Sequence, residues 1–203
     1  MVYAEHVPDH REQRPARRGD HPRRAQEIFN ATLELLADKG YDGLTIEGVA
    51  DRSGVNKTTI YRWWPSKAAL LGAALIEAPL LDLEMPDTGT LRGDLEALVR
   101  AVLTLLTTPP AAHIAVAALG AASRSPELSA HARGFFADRL GRERPIFQRA
   151  VARGELPPHA DPMLLMDLLG GAVWLRVVLR QTPVEHDFAA RAVSIVLDGA
   201  RIR

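Results

Sequence analysis

Between Thr45 and Lys67 the chain carries three helix-capping residues, two glycines and one proline, at spacings that leave room only for very short helices. Thr45 is placed to cap a helix that turns Val49 and Ala50 inward and stops at Gly54. Asn56 is placed to cap or open the next, which runs to about Trp64, because the residue before Pro65 disfavours helical backbone. Ser66 then caps a further helix whose apolar face is Ala69, Leu70, Ala73 and Ala74. Upstream, a longer helix is expected from Asp20–Pro22, with Ile28, Leu35 and Leu36 as its inner stripe, joined by Ala25, Ala31 and Thr32. Gly40 is its left-handed stop, with Lys39 in the last turn. Residues 21–78 therefore make four helices, the middle two short and joined by a tight turn. That is the pattern of a helix-turn-helix in a small bundle.

The remainder of the 203 residues is also helical in period. Pro79, Pro86 and Asp87-Thr88-Gly89 mark a composition break, which separates residues 21–78 from residues 79–203. Beyond it the caps and prolines predict helices over 90–107, 111–123, 125–153, 161–181 and 184–200, with Pro145 kinking or splitting the third. No segment alternates as a strand would, and no repeat is present, so the fold class is all-α. Residues 1–20 are polar, contain Pro8 and Pro15, and are expected to be a disordered basic arm. Arg11, Arg14, Arg17 and Arg18, with Arg23 and Arg24 just beyond, form a basic stretch that can supply phosphate contacts or enter a minor groove, or stay a solvated tail.

Composition excludes several chemistries. The chain has no cysteine, so disulfides, thiolate catalysis and cysteine-bound zinc are ruled out. Hydrophobic residues at 47% against 25% charged suit a folded, soluble chain. The N-terminus lacks the apolar run of a signal peptide, and the apolar stretch from Met163 to Leu179 is interrupted by Asp167 and Arg176, so a cytoplasmic protein without membrane contact is expected. No histidine and carboxylate cluster has metal spacing, and no nucleophile–base pair can be argued. The chain is read as a non-enzyme without cofactor or metal.

The helix from Asn56 has an unusual outer face. At about 100° per residue, with Ile60 inward, Trp64 falls about 40° away on the same side. Thr58 and Arg62 face fully outward, Tyr61 and Thr59 flank them, Lys57 lies at the N-terminal edge and Trp63 on the rim. Hydroxyls, a phenol, an ammonium and a guanidinium are the groups that bond phosphates and base edges. Two of the three lysines, Lys57 and Lys67, bracket this helix.

The segments Thr45-Ile46-Glu47-Gly48-Val49-Ala50 and Gly54 to Lys67 resemble the DNA-binding signature of the TetR family of transcriptional regulators, over about residues 22–75. The resemblance implies an N-terminal three-helix helix-turn-helix domain and a larger C-terminal helical domain for ligand binding and dimerisation. It gives Thr45 the role of a cap that touches phosphate. Lys57, Thr58 and Thr59, with Asn56 and Arg62 beside them, become groups that meet base edges or nearby phosphates. Tyr61 and Lys67 become phosphate contacts, and Trp64 the core aromatic. Trp63 departs from the family pattern, where histidine is frequent. Gly48 departs too, at about 1 kcal/mol of helix propensity relative to alanine.

The helix at 161–181 is apolar around most of its circumference and must be covered on all sides. Its Gly170-Gly171 pair suggests a close backbone approach. With the final helix it is expected to form half of an intersubunit bundle through Leu168, Gly171, Trp174, Val178, Val193 and Leu197. Such a homodimer reads double-stranded DNA as a palindromic operator, with half-sites about 34–36 Å apart or a multiple of that. The helices at 90–153 are expected to line a pocket for an unknown small-molecule effector, with His113, Phe135, Phe136, Phe147 and Trp174 as candidate contacts. Two other readings stay open: a regulator whose C-terminal domain only dimerises, and a helical small-molecule carrier that does not bind DNA.

Overall fold

The capping residues act as their spacing predicts. In the computed structural model, which describes residues 22–122 and 126–198, Thr45 Oγ1 accepts the Gly48 N–H at 3.0 Å, Asn56 Oδ1 accepts the Thr58 N–H at 2.8 Å, and Ser66 Oγ accepts the Ala69 N–H at 3.0 Å. The helices they open are α2 (Ile46–Ser53), α3 (Lys57–Trp63) and α4 (Lys67–Glu77), preceded by α1 (Ala25–Gly43). Gly54 closes α2 at φ +66°, and Gly40 breaks α1 at φ +66° before a last turn to Gly43. Both positions need the left-handed backbone that glycine adopts without cost. The expected arm over residues 1–20, the helix start at Asp20 and the cap at Ser125 lie outside the described residues. α1 begins at Ala25, after a turn in which the Pro22 carbonyl accepts the Ala25 N–H.

The C-terminal elements are α5 (Leu91–Thr107), α6 (Ala111–Ala122), α7 (Pro126–Ala152), α8 (Pro162–Trp174) and α9 (Phe188–Asp198), and no strand occurs among the described residues. Pro145 was expected to kink or split α7, yet the helix runs on through it. Pro145 and the preceding turn at Gly141 are both exposed, so the carbonyl that loses its partner faces water. The helix at 161–181 also ends differently. α8 gives way to a π-helical turn, Leu175–Leu179, and Gln181 reverses the chain at φ +50°. Arg176 holds that reversal: its carbonyl accepts the Thr182 N–H at 3.1 Å and its guanidinium donates to the Pro183 carbonyl at 3.4 Å. This return path delays α9 from the expected Val184 to Phe188.

Two cores result. The first packs Ile28, Phe29, Leu33 and Leu36 of α1 against Val49, Ile60, Trp64, Leu70 and Ala74. It also takes in Ala111 and Ile114 of α6, so this helix of the second module seals the first. The alanine run of α6 is close packing: Ala117 and Ala118 lie on the first core and Ala115 joins the second. The second core gathers Leu95, Leu98, Ile146, Phe147, Leu169, Val173, Ala189 and Val193.

Buried charge fixes the connection between the modules. Asp94 of α5 is fully buried; its carboxylate accepts the Thr88 N–H at 2.6 Å and hydroxyl at 2.8 Å, and Arg149 of α7 donates at 3.3 Å. Burial alone raises its pKa, but the bonds from Thr88 and Arg149 outweigh that and hold the carboxyl below its ordinary range. Arg142 of α7 donates to Asp82 at 2.5 Å and to the Ile76 carbonyl at 2.9 Å, tying the end of α4 to α7.

Candidate nucleic-acid interface

The recognition face is built on a helix of two turns, too short to hold its shape alone. Ile60 is fully buried and Trp64 is 5% exposed, with its ring edge-on to Phe29 of α1 at 5.3 Å between centroids. These two side chains seat α3 on the bundle and turn its other residues outward. Asn56, Lys57, Thr58 and Arg62 are exposed, Thr59 is half-buried, and Tyr61 keeps 46% of its surface in water. Lys57 Nζ lies 4.0 Å from a Glu47 carboxylate oxygen, a solvent-exposed pair worth under about 1 kcal/mol that leaves the ammonium available to an anion. Arg62 makes no ion pair among the described residues. A surface of hydroxyls, one phenol and two cations, held only by the weak Lys57–Glu47 pair, is what a helix offers to phosphates and base edges.

Three positions are sharpened by the geometry. Trp63 is 38% exposed, on the rim where the helical angle puts it. Gly48 has a steric reason: a Cβ there would stand 3.1 Å from Thr45 Oγ1 and 3.4 Å from Leu35, crowding the cap that opens α2. Lys67 has a structural part beside the role the resemblance implies. Its ammonium donates to the Tyr41 carbonyl at 2.9 Å and the Leu44 carbonyl at 3.2 Å, and lies 4.2 Å from the Tyr41 ring centre. Two of its three N–H groups thus tie α4 to the break between α1 and α2, and the residue holds the bundle together.

A seven-residue helix presented outward from a capped turn, on an all-helical chain with a second helical module, defines a helix-turn-helix DNA-binding regulator. The comparisons agree. Residues 28–74 match the family described as "Bacterial regulatory proteins, tetR family", and residues 85–196 match "Tetracyclin repressor-like, C-terminal domain". The chain is 30% identical over 192 residues to the HTH-type transcriptional regulator AqdR of Rhodococcus erythropolis, covering 95% of this chain and 91% of that protein. It is 33% identical over 180 residues to the DNA-binding transcriptional repressor TetR of Mycobacteroides abscessus, covering 86% of this chain and 92% of that one. The crystal structure of the TetR family transcription regulator SCO0332 shares its fold at a TM-score of 0.75 and 36% identity, covering 89% of this chain and 100% of the other. The chain belongs to the TetR family of transcriptional regulators, for which repression, dimerisation and response to a ligand are typical.

The expected pocket contacts are not brought together. His113 and Phe136 are exposed, Phe147 is a core residue at 3% exposure, and Phe135 is half-buried between Phe136 and Arg139. Trp174 packs at the edge of the second core. His113 misses because Ile114 and Ala115 are the buried residues on that turn of α6, which leaves the imidazole on the far side. A groove of about 690 Å³ lies elsewhere, lined by Leu103, Thr104 and Thr107 of α5 and by Val177, Gln181 and Thr182 at the chain reversal. It forms where the π-helical turn ends, a feature with no signal in the sequence.

The residues expected at a dimer interface divide. Leu168 is 52% exposed, Gly171 is open with nothing within 4 Å of where a Cβ would stand, and Trp174 and Val178 are half-buried. Val193 instead is fully buried in its own protomer, and Leu197 packs against the same core. The inward stripe of α9 is Ala189 and Val193, four residues apart, so the outward residue is Ile195. Sequence reasoning also missed Leu164, Leu175 and Leu179, exposed apolar residues within about 40° of Leu168 around the helix, and Met163, which is exposed on another side. A helix apolar all round does not announce which side its own core takes. By length and composition the stretch Pro162–Leu179 is long and apolar enough to cross a membrane, the property that the intervening Asp167 and Arg176 argued against.

Proposed function

We propose that this regulator is a cytoplasmic homodimeric repressor that binds a palindromic operator through α3 and is released by a small-molecule effector. The observation that carries the dimer is the set of exposed apolar residues Leu164, Leu168, Leu175 and Leu179 along one side of α8 and its π-helical turn, with Ile195 exposed on α9, an apolar surface of the kind a soluble monomer rarely presents. Gly171 supports it, since a glycine open to solvent has no packing reason within its own chain. Two copies joined by a two-fold axis through α8 and α9 set two α3 helices on one side of the assembly, for successive major grooves. Repression is supported by the 33% identity to a protein named as a repressor.

The effector site is the groove between the C-terminal end of α5 and the chain reversal after α8. Its apolar walls and hydroxyl and amide rim suit a small amphipathic molecule. It adjoins Val177 and Val178, beside the proposed dimer face, so an occupant changes how the two copies sit. A ligand moves such an equilibrium only by its preference for one state; a swing from 1:99 to 99:1 takes about 5.5 kcal/mol.

The test uses light scattering and fluorescence anisotropy with duplex DNA flanking the protein's own gene. A dimer of about twice 22.2 kDa that prefers this DNA over random DNA is expected, and Leu168→Asp should give a monomer that loses the preference. A wild-type monomer, or equal binding to both duplexes, refutes the reading.

A further inference from the structure

Arg24 precedes α1, thirty residues from the turn that aims the recognition helix, and its guanidinium reaches that turn. Nη2 donates to the Ser53 carbonyl at 2.8 Å and Nη1 donates to the Gly54 carbonyl at 3.0 Å. Nε is held by the Glu27 carboxylate, so all three nitrogens are engaged. Ser53 and Gly54 are the last residue of α2 and its left-handed cap, and their carbonyls belong to the group at a helix end that has no intrahelical partner. A cation there is favoured by the helix dipole, and the planar fork of an arginine spans two adjacent acceptors where a lysine ammonium spans them poorly.

We propose that Arg24 is a positioning residue for DNA reading: it fixes the α2–α3 turn to the start of α1 and thereby sets the angle at which α3 meets the groove. The turn has few other holds. The Val55 N–H donates to Ser53 Oγ at 3.3 Å, Val55 itself is buried, and Asn56 caps α3 through its own side chain. Each of these bonds is local to the turn, whereas Arg24 ties it to another helix. The seven residues of α3 inherit their direction from this turn at one end and from Trp64 at the other. Loosening the first end leaves the helix anchored but free to tilt, which misaligns Lys57 and Thr58 with base edges more than it weakens contact with the uniform backbone phosphates.

The proposal rests on the DNA-binding reading, so its experiment has one arm that needs no DNA. Full-length wild type, Arg24→Ala and Arg24→Lys are compared by amide hydrogen exchange over residues 54–60. They are also titrated by anisotropy, across a salt series, with the flanking duplex and with a random duplex. Arg24→Ala is expected to speed exchange in the turn and first turn of α3 while α4 and α5 are unchanged. It is expected to cut the specific-to-random affinity ratio about tenfold, the worth of one misaligned base contact. Random-duplex affinity and the salt slope stay at the wild-type values, and Arg24→Lys recovers part of the ratio. Equal losses on both duplexes with the slope reduced by about one would make Arg24 a direct phosphate contact and overturn the proposal. Unchanged exchange over residues 54–60 overturns it regardless of the DNA result. A wild type that does not discriminate between duplexes refutes the operator reading instead, and the exchange arm still decides the hold on the turn.

Discussion

Glu143 gives the sharpest quantitative test of the C-terminal module. It lies on the inner side of α7 at 8% exposure, with Arg139 one turn earlier as its nearby cation. Arg139 is engaged elsewhere: it donates to Asp82 and to the Leu75 carbonyl, each at 3.4 Å, and lies over the Phe135 ring. Burial therefore dominates over the attraction to Arg139, and the Glu143 carboxyl is pushed up from 4.5 to about 7. The folded state then holds a proton that the unfolded state releases, so the contribution of Glu143 to stability is most favourable below about pH 4.5 and falls as pH rises toward 7. At about 1.4 kcal/mol per pH unit over this window, ionised Glu143 costs the fold about 3 kcal/mol at pH 8. Glu143→Gln removes the charge and keeps the shape. Urea unfolding from pH 5 to pH 8.5 should show the variant near wild type at pH 5 and about 2–3 kcal/mol more stable at pH 8. The difference between the two proteins isolates this group, because everything else is common to both. A difference that stays flat across the range, or one that favours wild type at pH 8, refutes the reasoning.

Trp64→Ala removes a buried ring that bridges α1 and α3 and should cost about 3–5 kcal/mol in chemical unfolding, whereas Trp63→Ala should leave stability within about 1 kcal/mol. Lys67→Met leaves the Tyr41 and Leu44 carbonyls without their donor and should cost about 1–3 kcal/mol with the salt slope of DNA binding unchanged; a slope lowered by about one would return the residue to phosphate contact. Gly72→Ala places a Cβ 2.5 Å from His131 Nδ1, so the imidazole must turn away or α4 and α7 move apart, at about 1–3 kcal/mol, and His131→Ala in the same chain should recover most of the loss on thermal melting.

Much of the DNA-binding module was legible because its information is local. Thr45, Asn56 and Ser66 each bond an N–H two or three residues on, and Gly54 needs only its own φ. Ile60 and Trp64 share a face by helical geometry alone, so the outward set from Lys57 to Arg62 follows without knowledge of what lies beneath. The C-terminal sites were less legible for the opposite reason. His113 and Leu168 are typed by which side of a helix meets a neighbour, and their helices, α6 and α8, are apolar on nearly every side. Periodicity names an inner face only where an outer face is polar.

By itself, then, the sequence determined the helices of the first module, their caps and breaks, and which residues of α3 are turned outward. Tertiary structure decided that Lys67 serves two carbonyls across the bundle and that Arg24 grips a turn thirty residues away. It also decided that α6 seals the first core and that the exposed apolar surface includes Leu164, Leu168 and Ile195. A cap is a bond within one turn of chain, and its partner is given by spacing. A long side chain or an all-apolar helix has many reachable partners, and only the packed arrangement selects among them.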